Sequence, residues 1–210
     1  MASQPNPSNP RAQRTRTALL DAGFALLAQR PIDAIAIDDI VARAGVAKGS
    51  FFNHFTDKPG FARALGEQVR LALEARVGAA NRDVSDPVLW LAGGMREAVR
   101  FALEERILAL VMLRGSETAT GRDHALNAGI RADLAGIVSA GLARPEAERS
   151  GVRYWLGLCQ IAMLGTLDRS PDPAEAARRL AELLVLGLTG LGVPEQRARN
   201  AASWAAADLA

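Results

Sequence analysis

A chain of 210 residues is long enough to bury a core of its own and to form one or two domains. Apolar residues make up 49% and charged residues 23%, which excludes the disordered class, and the single cysteine excludes an intramolecular disulfide. The net charge of +2 is too small to identify a nucleic-acid partner, although the first 80 residues are mildly basic.

The N-terminal part of the chain predicts a flexible arm followed by four helices. Prolines and polar residues fill positions 1–10, and an amphipathic pattern then predicts a helix from about residue 11 to Gln29. Two short helices are predicted at Asp38–Ala44 and Ala47–His54. Gly45 joins them, because glycine adopts the left-handed conformation of a tight turn at low cost. The next helix is predicted at Lys58–Ala80.

Beyond residue 81 the apolar spacing stays helical and shows no alternating strand pattern. A loop is predicted at Gly115–Gly121, and the alanine-rich tail after Pro194 is expected to form a last turn or to fray. The predicted class is therefore all-α, with about nine helices in two unequal parts. The predicted C-terminal helices are Asp86–Glu104, Arg106–Arg114, Asp123–Ala143, Glu146–Arg169 and Ala174–Leu191.

Neither a membrane span nor a secretory signal is predicted. The longest apolar runs, such as Ile107–Leu113, fall far short of the roughly 20 residues that a span needs, and the first 16 residues hold no apolar stretch. We therefore expect a cytoplasmic protein with no membrane partner.

The two short helices around Gly45 have the spacing of a helix-turn-helix. Val41 and Ala44 belong to an apolar face of the first helix, and Phe51 and Phe55 belong to one on the second. An ordinary helical hairpin on the surface is the alternative that this spacing leaves open. The residues left facing outward are small or polar, which suits entry into the major groove of DNA. They are Lys48, Gly49, Ser50, Asn53 and His54.

This segment resembles the DNA-binding domain of the TetR/AcrR family of transcriptional regulators. The matching residues are Ile40-Val41, Ala44-Gly45-Val46, the run from Lys48 to Phe55, and Lys58. The family pattern reads approximately I-A-x-x-A-G-V-S-x-G-T-x-Y-x-H-F, with a lysine three residues further on. The recognisable part covers about residues 14–65.

The resemblance implies an N-terminal DNA-binding domain at residues 11–57 that contacts a double-stranded operator. Lys48 and the Gly49 amide would meet phosphate or base edges at the start of the recognition helix. His54 and Lys58 would clamp the phosphate backbone, although packing or capping within the domain is the alternative for His54. The predicted DNA-binding set is Arg14, Arg16, Lys48, Gly49, Ser50, Phe52, Asn53, His54 and Lys58.

Three positions depart from the family pattern, and each lacks a hydroxyl group. Relatives usually carry Thr at or beside Ala36, Ser at Ala47 and Tyr at Phe52. One neutral hydrogen bond contributes roughly 0.5–1.5 kcal/mol, whereas charge contacts dominate affinity for DNA. The departures affect contact details, and they keep open an alternative: a helical small-molecule or protein-binding module without DNA-binding activity.

The resemblance also implies that residues 58–210 form a regulatory part that dimerises and holds a ligand, with Lys58–Ala80 as the connecting helix. Apolar stripes on the last two strong helices predict a homodimer interface; internal core is the alternative. The predicted interface residues are Val152, Trp155, Leu156, Cys159, Leu180, Leu184, Gly187, Leu188 and Leu191.

Large apolar residues of the C-terminal part could line a cavity for a small, mainly apolar effector, with His124 or Arg131 as a polar anchor. Plain core is the alternative for each. No catalytic or cofactor motif is present, and two histidines are too few for a His-rich metal site. We therefore expect a repressor that an effector releases from a palindromic operator, and neither an enzyme nor a cofactor protein. The candidate effector contacts are Trp90, Met95, Phe101, Met112, His124, Trp155 and Met163.

Overall fold

The computed structural model of the protein describes residues 10–115, 125–169 and 172–209. Within these ranges every regular element is a helix, which confirms the predicted all-α class. Residues 1–9 of the predicted arm and residues 116–121 of the predicted loop lie outside the described ranges. The α-helices of the described part are α1 Pro10–Leu27, α2 Ile37–Ala44, α3 Lys48–Phe52, α4 Lys58–Ala80, α5 Pro87–Glu104, α6 Arg106–Gly115, α7 Ala128–Ser139, α8 Glu146–Arg169, α9 Pro173–Gly190 and α10 Glu195–Ala207.

The turn between α2 and α3 forms as the sequence predicts. Gly45 has φ 66° and ψ 32°, the left-handed conformation that costs a glycine little. The Val46 amide donates to the Val41 carbonyl at 3.1 Å, which satisfies a carbonyl at the end of α2. Asp57 caps α4, because its carboxylate accepts from the Gly60 amide at 2.6 Å. These local contacts fix where α3 leaves α2 and where α4 begins.

The N-terminal core is built around three aromatic rings. The Phe51 and Phe61 ring centroids are 5.4 Å apart, and those of Phe55 and Phe61 are 4.9 Å apart. Leu65 of α4 and Val111 of α6 belong to the same buried cluster. The core therefore reaches beyond the predicted boundary at residue 57, into α4 and α6.

The C-terminal core lies between α5 and the helices α7 to α10. Trp155 of α8 is 2% exposed and is the largest fully buried side chain. Leu134 of α7 and Leu184 of α9 are buried in the same cluster. No helix in the described part of the chain is both long and apolar enough to cross a membrane.

One predicted helix end was wrong, and so was the prediction of a last turn or a frayed tail after Pro194. The helix predicted to reach Ala143 ends at Ser139, because Gly141 takes a positive φ of 68° and the Leu142 amide bonds back to the Ile137 carbonyl. The tail after Pro194 does not fray within the described residues but forms α10. Its buried face consists of small residues that allow close packing against α9 and α5, namely Ala198, Ala201, Ala202 and Ala205.

A buried ion cluster joins α10 to α5 and α4. The Glu97 carboxylate is 3% exposed and lies 2.5 Å from the Arg100 guanidinium and 3.3 Å from that of Arg96. Arg76 of α4 reaches its other oxygen at 3.9 Å. Asp208, just after α10, completes the cluster through Arg96 and Arg100 at 3.3 and 3.1 Å. Glu97 and Arg96 are buried and Asp208 is 63% exposed, and the opposite charges around the buried pair offset the cost of removing it from water.

Candidate nucleic-acid interface and ligand cavity

Helix α3 presents one face to the core and the other to solvent. Phe51 is fully buried, whereas the neighbouring Phe52 is 51% exposed. Lys48, Gly49 and Asn53 are exposed, and the other two predicted outward residues, Ser50 and His54, are half-buried. A Cβ added at Gly49 would meet nothing within 4 Å, so its backbone is open to a close approach. Apart from the Phe52 ring, the outward face is small and polar, which suits entry into the major groove.

Two of the three positions that lack a hydroxyl group lie at the amino-terminal ends of α2 and α3. Ala36 and Ala47 occupy the N-cap positions, and neither has a side chain that can accept a hydrogen bond. At α2 the Asp39 carboxylate accepts from the Ala36 amide at 3.1 Å. Lys48 at the start of α3 pairs with Asp38 of α2 at 2.7 Å. This exposed pair is weak in water, so Lys48 can exchange it for a phosphate.

His54 and Arg16 lie together at the end of α3. The Arg16 guanidinium lies 5.5 Å from the centroid of the Phe55 ring. Burial, and then the positive charge of Arg16, lower the pKa of His54. The imidazole is therefore neutral at pH 7 and would meet a phosphate as a hydrogen-bond donor, while Arg16 supplies the charge. Arg14 is exposed on α1.

Lys58 forms a hydrogen bond with the turn that precedes α2. Its ammonium group donates to the Asp33 carbonyl at 2.8 Å. The Asp33 carboxylate in turn pairs with Arg114 of α6. One short turn, the 3₁₀ helix Ile32–Ala34, thus connects a predicted phosphate contact of α4 with a helix of the C-terminal part.

A cavity of about 260 Å³ lies among α4, α5, α6, α7 and α8. Four of the seven candidate effector contacts line it: Trp90, Met112, Trp155 and Met163. Leu73, Val77, Leu91 and Ile130 extend the apolar wall. A mainly apolar ligand of modest size suits these walls.

Among the described candidates, Met95, Phe101 and the alternative anchor Arg131 do not line this cavity. Met95 is fully buried in the C-terminal core, where neighbouring helices cover it. Phe101 is 4% exposed and packs under the Arg76 guanidinium, 5.6 Å from the ring centroid. His124 lies outside the described residues, and Arg131 is not part of the cavity lining. Helical spacing identified these apolar faces but not what covers them.

The polar groups of the cavity were missed by the sequence analysis. Asp133 of α7 lines the cavity and accepts a hydrogen bond from the Trp90 side chain. Arg70 of α4 bonds to Glu74 at 2.9 Å and to the buried Asn127 at 3.0 Å. No local motif marks these residues, because the three helices that carry them meet only in the folded chain.

Cys159 also belongs to the cavity rather than to a predicted dimer interface. Burial raises the pKa of its thiol to about 12, although the charge of Arg70 acts in the opposite direction. The thiol is therefore protonated at neutral pH and is a poor nucleophile. Leu156, one turn earlier on α8, lines the same cavity.

Most of the predicted dimer-interface residues form internal core instead. These stripes were the correct apolar faces, but they pack against other helices of the same chain, so they are not free to contact a partner. Trp155, for example, lies 3.1 Å from a Cβ built at Gly187. The corrected residues are Val152, Trp155, Leu180, Leu184, Gly187, Leu188 and Leu191, all of which are buried.

A different face of α8 and α9 exposes large apolar side chains. Ile161 is 56% and Leu164 44% exposed on α8, and Leu186 is 66% exposed on α9. Tyr154 joins the two helices, since its hydroxyl lies 3.4 Å from the Leu186 carbonyl. The helical spacing of 154, 161 and 164 places them on one side of α8. We call this surface the α8–α9 face.

Residues 19–65 match the family described as bacterial regulatory proteins, tetR family. An uncharacterized HTH-type transcriptional regulator of Bacillus subtilis strain 168, YwcC, is 30% identical over 92 residues. That match spans 44% of this chain and 40% of the relative, which is less than half of either.

Solved structures share the fold over most of the chain. RolR in complex with resorcinol has a TM-score of 0.72 and 24% identity, covering 92% of this chain and 95% of its own. An ArpA-like gamma-butyrolactone receptor has a TM-score of 0.54 and 20% identity, covering 94% of this chain and 100% of its own. At these identities the likeness concerns the fold.

Proposed function

We propose that the chain is a regulator of the TetR family, whose family model matches residues 19–65, and that it represses transcription by binding a palindromic operator as a dimer. A small, mainly apolar effector releases it. The observation that carries the proposal is α3, a short helix with a buried phenylalanine behind it and a small, polar face outside. A bacterial regulator that binds an operator acts in the cytoplasm, where the DNA lies.

Residues 11–57 and the first turns of α4 form the proposed DNA-binding domain. Lys48, Gly49, Ser50 and Asn53 enter the major groove, where Asn53 is free to read a base edge. The contacts on either side go to phosphates, which position the helix without reading sequence. Those flanking contacts are Arg14, Arg16, His54 and Lys58, with the exposed Phe52 ring beside the backbone.

Replacing Lys58 with alanine is expected to weaken binding to every operator by a similar factor. It should also lower the slope of log affinity against log salt by about one, since one phosphate contact is lost. Titration of labelled DNA by fluorescence anisotropy at several salt concentrations measures both quantities. Arg178→Ala, which removes an exposed cation of α9, is the matched control and should leave the slope unchanged. An unchanged slope in the Lys58 variant would remove this residue from the phosphate contacts.

The α8–α9 face is the proposed homodimer interface. Leucine, isoleucine and tyrosine side chains are exposed on two adjacent helices, and exposing such an apolar patch to water is unfavourable. Two identical copies of this face could cover each other across a two-fold axis. Two helices from each protomer would then form a four-helix interface. To bind a palindromic operator, this dimer would have to present its two recognition helices to half-sites one turn of DNA apart, about 34–36 Å.

Leu186→Glu is expected to dissociate the dimer. A carboxylate placed in an apolar interface loses its hydration without a partner, which should raise the dimer dissociation constant at least about a hundredfold. Sedimentation velocity over a range of protein concentrations measures this change. Leu71→Glu, at a leucine of α4 that is 44% exposed, is the matched control. A dimer that survives Leu186→Glu would contradict the proposed interface.

The effector is proposed to occupy the cavity lined by Trp90, Met112, Trp155 and Met163. Two proteins of similar fold are named for small organic molecules, RolR in its complex with resorcinol and the ArpA-like protein as a gamma-butyrolactone receptor. Both ligand types combine a compact carbon skeleton with a few oxygen atoms. They support a ligand of this size, while their identity does not transfer at such low sequence similarity.

The experiment that tests the proposal is a gel shift with DNA from upstream of the protein's own gene, across a salt series. A shifted band that weakens steeply with salt is expected. If a folded dimer gives no band at low salt with this DNA or with a random operator library, the protein is instead a binding module. The uncapped Ala36 and Ala47 positions favour that second function.

A further inference from the structure

Asp133 is a half-buried carboxyl group of the cavity. It lies on α7 and lines the cavity with residues of four other helices. Within the described residues its recorded partner is the Trp90 side chain. An ionised carboxylate has about four acceptor positions, so a donor on a bound molecule can still reach it.

The basic residue of the lining is already engaged. Arg70 donates to Glu74 at 2.9 Å and to the Asn127 side chain at 3.0 Å. Glu67, which is exposed, adds another negative charge to the lining. Among the described lining residues, three carboxyl groups thus face one guanidinium, and this excess of negative charge opposes the entry of an anion.

The surroundings of Asp133 favour a strong contribution to ligand affinity from one more hydrogen bond to its carboxylate. Burial raises the pKa of its carboxyl group to about 6, against the opposing effect of the bond from Trp90. The carboxylate is therefore ionised at neutral pH but poorly solvated. Hydrogen bonds to charged groups in such places contribute more than bonds between neutral groups.

We infer that Asp133 accepts a hydrogen bond from the effector, so that the cavity selects compact apolar molecules bearing a hydroxyl or protonated amine and rejects carboxylates. This inference rests on the proposed function only in calling the ligand an effector. The apolar walls bind the carbon skeleton, and Asp133 distinguishes a donor from a methyl group of the same size. Such a site discriminates because a molecule without a donor displaces water from the half-buried carboxylate and leaves it, among the described residues, with only the bond from Trp90.

Four probes that share a phenyl ring test the inference: benzyl alcohol, benzylamine, ethylbenzene and benzoate. Calorimetry or ligand-observed NMR on the full chain without DNA gives their affinities at pH 7.5. The alcohol or the amine is expected to bind about tenfold more tightly than ethylbenzene, and benzoate least of all. The two donors distinguish a neutral hydroxyl from a cation.

Asp133→Leu and Asp133→Asn are the variants, and Glu67→Gln is the matched control at another lining carboxyl. The preference for a donor over ethylbenzene should disappear in Asp133→Leu, shrink in Asp133→Asn and persist in the control. Thermal unfolding confirms that each variant is folded, and the asparagine variant preserves the test if the leucine variant does not fold.

The preference should also depend on pH. Protonation of Asp133 removes its charge, so the affinity for benzyl alcohol should fall about fivefold between pH 7.5 and pH 5. The other ionisable groups of the lining are Glu67, Glu74, Arg70 and Cys159. The high pKa of the Cys159 thiol keeps it protonated over this pH range. The Glu67→Gln variant shows whether the exposed carboxyl group contributes to the pH dependence.

Three results would overturn the inference. They are equal affinity for ethylbenzene and both donors, benzoate binding as tightly as a donor, and no binding of any probe up to about 10 mM. Operator binding is measured separately. A chain that shows the donor preference but never binds an operator would overturn the proposed function and leave the role of Asp133 standing.

Discussion

Replacing Phe51 with alanine is expected to lower the free energy of unfolding by about 3–5 kcal/mol and to abolish operator binding. The Phe51 ring is fully buried and lies 5.4 Å from the centroids of both Phe55 and Phe61. Its removal leaves a cavity at the point where α3 is fixed to α4. Urea unfolding followed by circular dichroism, at one protein concentration, measures the change.

Phe52→Ala is the matched control for this prediction, since it removes the same side chain from the next residue. The Phe52 ring is half-exposed and meets Phe51 edge to face at 5.4 Å. Its loss should cost about 1 kcal/mol or less. Equal destabilisation by the two substitutions would contradict the division of α3 into a buried and an outward face.

Replacing Glu97 with alanine is expected to destabilise the C-terminal part by about 3–5 kcal/mol. The carboxylate lies among the guanidinium groups of Arg96, Arg100 and Arg76, and Arg96 is itself 5% exposed. Without Glu97 these cations remain close together with less compensating charge. The same urea experiment at neutral pH measures the loss.

Asp208→Ala is the control for Glu97, because it removes a carboxylate that pairs with the same Arg96 and Arg100. Asp208 is 63% exposed, so water replaces much of the lost interaction and the cost should be about 1 kcal/mol or less. If Asp208→Ala lowers the free energy of unfolding as much as Glu97→Ala does, the stabilisation comes from the contact between α10 and α5 and does not come from the buried carboxylate.

The sequence predicted best what depends on neighbours in the chain. The turn at Gly45 and the boundaries of α8 follow from signals within a few residues, and the long ordered pattern from Ile40 to Lys58 carried the resemblance to the TetR family. Helical spacing also found the apolar faces of α8 and α9 correctly. It assigned them to a partner protomer, because spacing shows that a face is apolar but not which surface covers it.

The cavity depends on contacts between residues far apart in the chain, so it could be predicted only in part. Large apolar residues such as Trp90 and Trp155 were natural candidates for a lining. Asp133 was not, since a single aspartate on a helix is usually solvated, and only the packing of α7 against α5 removes it from water. Helix α10 was missed for a related reason: alanine buries little area alone, yet its small size allows close contact between helices.

The position of α6 has a consequence for the distance between the two proposed sites. Val111 is packed in the N-terminal core, and the next residue, Met112, lines the cavity. Their Cα atoms are about 3.8 Å apart, as in any trans peptide. Three residues along from Val111, Arg114 pairs with Asp33, whose carbonyl holds Lys58. One turn of α6 thus contacts the ligand cavity through Met112, the N-terminal core through Val111 and the turn that holds Lys58 through Arg114. The proposed ligand site and the proposed DNA-binding domain are therefore adjacent along α6.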